Sequence, residues 1–111
     1  VRTWTVPGVV LAVHDGDTCK LDYDLGWHVW VRGAMLRLAG CDPPVLATPA
    51  GIAARDFVAA LLPIGTAVQV VSHGFDKWGR TLGALQLPDG RDLAELLIQA
   101  GHAVPYHGGP R

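Results

Sequence analysis

The sequence predicts a mainly β domain with helices (α+β), in which five strands curl into a barrel that carries two or three helices. Three observations lead there. The first forty or so residues are dense in β-branched and alternating segments. Short turn signals at Asp15-Gly16 and Gly33 divide that region without leaving room for crossover helices. After it, two segments with apolar residues at helical spacing alternate with two more strand-like runs, giving the order three strands, helix, two strands, helix.

Each element has a local cause. GVVLAVH (Gly8–His14) is a β-branched run stopped by Asp15-Gly16, a hairpin turn signal. DTCKLDYD (Asp17–Asp24) alternates polar and apolar residues. WHVWVRGAMLRLAG (Trp27–Gly40) gives one or two further strands, with Gly33 as the place for a bend. Thr48-Pro49 starts a helix, Thr48 as N-cap and Pro49 in the first turn. Ala54, Phe57, Val58, Leu61 and Leu62 share one face of it, Arg55 and Asp56 lie opposite, and Pro63 and Gly65 end it. AVQVVS and RTLGALQL are two strands separated by HGFDKWG and followed by the turn PDG. DLAELLIQAGHA is a second helix, with Asp92 as N-cap and Gly101 as its C-terminal glycine. The tail VPYHGGPR has no core of its own. A five-stranded antiparallel barrel with a helix bridging strands three and four is the OB-type arrangement; a small α+β sheet domain is the alternative.

The 111 residues suit one domain, 1–111, with a single core. Half of them are hydrophobic and 17% are charged, as in a folded globular chain. No apolar run reaches the roughly 18 residues of a membrane span, so no membrane association is expected. Val1 to Gly8 lacks the features of a signal peptide, although the chain opens on Val1 rather than Met and an earlier leader stays open. A net charge of −1 argues against a protein that coats nucleic acid electrostatically. It does not argue against an enzyme whose positive charge arrives as a divalent cation. Cys19 and Cys41 show no CxxC spacing and read as buried thiols, with a disulfide as the lesser alternative.

Chemistry-bearing residues stand where strands end. Asp17 follows the first hairpin turn, Asp42 lies just beyond Arg37, and Arg80 follows DKWG. Each alone is ordinary turn chemistry. Together, DGDTCKL, LRLAGCDPP and DKWGRTLG, followed by LAELLIQAGHA, resemble in order and spacing the staphylococcal-nuclease-like (thermonuclease) family, from about Val10 to Tyr106. The family fold is an OB-type barrel with helices, which agrees with the element order. The resemblance implies one Ca²⁺ held by Asp17, Asp42 and the backbone carbonyl of Pro43, with Thr18 reaching a metal-bound water. It implies that Arg37 and Arg80 grip the scissile phosphate, and that DNA or RNA, single-stranded or flexible, is cut by metal-assisted attack of water. A monomer is expected.

Two positions depart, the first being Pro43, which stands where the family often has a small or hydroxyl residue. Where the family carries a glutamate as general base, CDPPV places Val45, which cannot accept a proton. Losing a positioned base costs about 10²–10⁴-fold in rate. Glu95, the sole glutamate, lies on the second helix, and Asp56 faces away from the apolar side of the first. Two functions therefore stay open: a weakened or disabled Ca²⁺-dependent nuclease, and a non-catalytic nucleic-acid- or protein-binding module on the same fold. Lys77, Trp78 and Tyr106 are candidates for substrate contact, Trp78 being equally readable as a strand-edge packing residue. Trp27 and Trp30 are expected to cover the core. Asp15 is expected to support Asp17, and Asp76 to serve its turn. His14, His28, His73, His102 and His107 show no helical pairing, so a histidine metal site is not expected.

Overall fold

The computed structural model describes residues 4–106; His107, in the tail, lies outside them. The described elements are β1 (Trp4–Asp15), β2 (Thr18–Asp24), β3 (Trp30–Leu38), β4 (Cys41–Asp42), α1 (Pro49–Leu61), β5 (Ala67–Phe75), β6 (Thr81–Gln86), α2 (Leu93–Gln99) and β7 (Val104–Pro105). Five of the strands close a barrel in the order β1-β2-β3-β6-β5, the OB-type architecture expected.

Length makes closure possible. β1 pairs antiparallel with β5 from Trp4↔Ser72 to Val9↔Ala67 and with β2 from Gly8↔Tyr23 to Asp15↔Thr18. It therefore belongs to two ladders and begins four residues earlier than the sequence suggests, because Pro7 hides a strand signal that a ladder edge tolerates. The last seam is short and parallel: Leu36↔Thr81, Arg37↔Leu82 and Leu38↔Gly83. The bend at Gly33 is present. Its φ of 66° is a left-handed conformation suited to glycine, and its amide donates to Asp22 Oδ1 at 2.8 Å beside a register shift in the β2–β3 ladder.

Strand alternation sends Val10, Leu21, Leu36, Leu38, Val70 and Leu85 into the barrel, all fully buried. α1 adds Ala54 and Val58, and Leu62 just beyond it, to one end of that core, while Arg55 and Asp56 pair with each other outside. Thr48 accepts the Gly51 amide at 3.0 Å as N-cap, with Pro49 at the helix start. α2 is capped by Asp92, which accepts the Glu95 amide. It ends in a Schellman arrangement, with His102 N–H to the Leu97 carbonyl and Gly101 N–H to the Ile98 carbonyl. Cys19 and Cys41 are buried thiols outside any disulfide, each pushed up to about 12 chiefly by burial. No helix among the described residues is long and apolar enough to cross a membrane.

One expectation is corrected. Trp27 and Trp30 do not cover the core: Trp27 is 94% exposed and Trp30 is exposed under the Arg32 guanidinium, 4.6 Å from its ring. The β2–β3 connection carries positive φ at Trp27 and His28, and that turn projects them away from the barrel. The tail, though without a core, is not structurally idle: β7 pairs with β4, Val104 opposite Asp42. A two-residue pairing has no periodicity to read.

Gly51 fixes how α1 meets the segment before it. A β-carbon there would fall 1.9 Å from the Val45 carbonyl oxygen. Gly→Ala inside a helix ordinarily stabilises by about 1 kcal/mol. Here the clash is with backbone, so Gly51→Ala is expected to destabilise by about 1–3 kcal/mol, read from the urea midpoint. A raised midpoint would contradict the packing described.

Candidate active site

The site forms where β1 turns into β2 and where β3 leaves the barrel. Asp15 Oδ1 accepts the Asp17 amide at 3.1 Å, which fixes the turn, and Thr18 Oγ1 donates to Asp17 Oδ1 at 3.1 Å. The Leu38 amide donates to the Asp17 carbonyl at 2.7 Å, tying that turn to the end of β3. Gly16 brings the other wall close: a β-carbon on it would stand 3.0 Å from Pro43 Cβ and 3.1 Å from Ala54 Cβ. Pro43, next to Asp42, thus packs against the turn that carries Asp17.

Arg37 completes the cluster. Leu36 and Leu38 point into the core, so alternation turns Arg37 outward, yet its side chain is only 12% exposed. Its Nη1 contacts Asp17 Oδ2, and its Nη2 lies 3.9 Å from Asp42 Oδ1. Asp17 is buried and Asp42 half-exposed, so two carboxylates of unequal burial face one guanidinium.

Arg80 does not join that contact. It precedes Thr81, the partner of Leu36, and by alternation shares the outer face with Leu82 and Arg37. Its own ion pair is local: Nε donates to Asp76 Oδ2 at 2.7 Å. Asp76 Oδ1 accepts the Trp78 and Arg80 amides, both at 2.9 Å, so one carboxylate organises the whole DKWGR loop. Of the four residues expected to share a pocket, three meet directly and the fourth stands in the loop just before the neighbouring strand β6. Asp76 is a turn residue as expected; its grip on Arg80 is what sequence reasoning missed, and the four-residue spacing was the available sign.

The remaining candidates fall around this face. Trp78 is 72% exposed with Lys77 Nζ 5.0 Å from its ring centroid, so it does not pack on the barrel. The Tyr106 amide donates to the Gly40 carbonyl, which draws the tail beside the loop leading to Asp42. Val45 is 72% exposed, and its carbonyl accepts both the Thr48 amide and the Thr48 hydroxyl. Its backbone is therefore fixed while its side chain contributes no polar atom. Glu95 is exposed on α2. Among the described residues, no group of three or more His, Cys, Asp or Glu side chains gathers where a metal ion could be held.

Burial works against the Asp76 carboxylate, but the Arg80 and Trp78 amides and the Arg80 guanidinium outweigh it and hold its pKa below the ordinary 3.8. A lowered carboxylate stabilises the folded loop fully above that ordinary value and loses its contribution as pH falls through the lowered one. A carboxyl ¹³C titration is expected to give Asp76 a midpoint below 3.8. A midpoint at or above it would show that the Arg80 clamp does not persist in solution.

The profile of the staphylococcal nuclease homologue family matches residues 35–110, more than half of the chain. Two curated relatives, each named an uncharacterized endonuclease, come from Escherichia coli O157:H7 and Escherichia coli. Each is 29% identical over 101 residues, covering 91% of this chain and 61% of the relative, so the chain spans about three fifths of their length. With its barrel order and its DGDT, RLAGCDPP and DKWGR segments, the chain belongs to the staphylococcal nuclease homologue family.

Proposed function

We propose that this domain hydrolyses phosphodiester bonds of single-stranded or flexible DNA or RNA, slowly, with Ca²⁺ as cofactor. The observation that carries the reading is the Arg37 guanidinium set against both Asp17 and Asp42. The donor chemistry fits a hard cation: two carboxylates already face one positive group, and the nearby Cys41 is a buried thiol whose high pKa keeps it from competing as a soft ligand. Asp17, Asp42 and the Pro43 carbonyl would hold the ion, with Thr18 supporting Asp17. When bound, it would neutralise phosphate charge and lower the pKa of an attacking water.

The chain's own residues supply the rest. Arg37 shares its guanidinium between the acids and an incoming phosphate, which strengthens its pull as charge develops in the transition state. Arg80 is held through Nε, so its two terminal nitrogens are left to fork onto phosphate oxygens. Asp76 acts through Arg80 as a positioning residue. Lys77, Trp78 and Tyr106 flank this path and would contact neighbouring nucleotides. Val45 accepts no proton, so the attacking water loses general-base assistance.

Cleavage of single-stranded DNA, with Ca²⁺ or with EGTA, tests the reading. Val45→Glu is expected to accelerate Ca²⁺-dependent cleavage about 10²-fold, and Arg80→Ala to lower it by about 10²–10³-fold without unfolding the chain. If neither the native chain nor Val45→Glu cuts while the native chain still binds DNA, the domain is a binding module and the enzymatic reading fails.

A further inference from the structure

Where β3 and β6 stop pairing, the barrel wall opens. Their ladder covers only Leu36–Leu38, and before it Val31 and Met35 of β3 share a cavity lining with Phe75 and Gly79. The cavity is about 410 Å³, and its walls are mainly apolar. Trp4 also lines it.

Three hydroxyls punctuate that wall: Tyr23, Ser72 and Thr81. Tyr23 is 93% buried, being 7% exposed, and its hydroxyl has no hydrogen-bond partner among the described residues. Burial pushes the phenol up, and the Thr81 side chain opposes that push. Phe75, by contrast, is 78% exposed at the rim, an arrangement that gives up burial and offers a ring face.

The geometry points to a nucleobase-binding slot. It takes one unstacked base of the strand held by Arg80, with the ring against Phe75 at the rim. This rests on the nuclease reading above and names the part of the substrate that this second pocket takes. Position argues for a base rather than an unrelated apolar ligand. Arg80 lies between two cavity-lining residues, Gly79 and Thr81, on the same loop that exposes Trp78 under Lys77. A phosphate gripped outside the seam therefore has its neighbouring nucleoside beside the opening. Aromatic faces interleaved with cations are what single-stranded nucleic acid binds.

The test measures affinity for two phosphorothioate single strands, which resist hydrolysis, with Ca²⁺ present. One carries bases and the other is abasic throughout. The base-bearing strand is expected to bind the native chain about tenfold or more tightly than the abasic one, from stacking worth about 1–3 kcal/mol per base. Phe75→Ala, at an exposed position, is expected to remove most of that difference and leave abasic binding unchanged. Equal binding of the two strands by the native chain, or an undiminished difference in Phe75→Ala, would overturn the slot and leave the phosphate site standing. Failure of both strands to bind would overturn the nuclease reading itself, and the slot with it.

Discussion

A guanidinium held against two carboxylates, at the point where three chain segments meet, is the constraint from which the rest of the site follows. Arg37 is nearly buried, and so is Asp17. Neither charge could remain there alone, because an unpaired ion in such surroundings costs several kcal/mol. The pair therefore links the β1–β2 turn to β3, and Asp42 brings in the β3–α1 segment from the other side. Pro43 packed on Gly16, and Val104 paired with Asp42, hold that third segment in place. The cost of desolvation is offset by the attraction within that charged assembly.

The barrel's closure explains why two arginines of one face come from distant parts of the chain. β3 and β6 are separated by more than forty residues of sequence yet run side by side for three residue pairs. A parallel seam this short sets Arg37 on β3 beside Arg80, which immediately precedes β6, without joining them through a common acid. Each keeps its own carboxylate, Asp17 for one and Asp76 for the other. That separation has a consequence for Arg80. It is oriented by a loop that organises itself, so its direction is set before any ligand arrives.

Much of the architecture was legible because its signals are local. Thr48-Pro49, Asp92 and Gly101 marked helix ends through capping chemistry, and the structure uses all three. The first ladder's turn and the Gly33 bend were visible for the same reason. What escaped was non-local or too short to have a period. The extension of β1 to Trp4 depends on β5 as a partner, and β4 and β7 exist only because the tail returns to Cys41–Asp42. Trp27 and Trp30 misled because size alone suggests burial, whereas positive φ in their turn decides against it. In the site, the motif segments pointed to Asp17, Arg37 and Asp42, which do meet, while the Asp76–Arg80 clamp lay hidden inside a segment readable as an ordinary turn. The open seam could not be read at all, since a gap in pairing leaves no mark on either strand.

The most direct measurement is calorimetric titration with a nucleoside 3′,5′-bisphosphate, in the presence and absence of Ca²⁺. If the Arg37 cluster seats an anion beside a cation, each ligand must tighten the other by the same factor, and Asp42→Asn must weaken that coupling. Bisphosphate binding that is absent, or identical with and without Ca²⁺, would contradict the account.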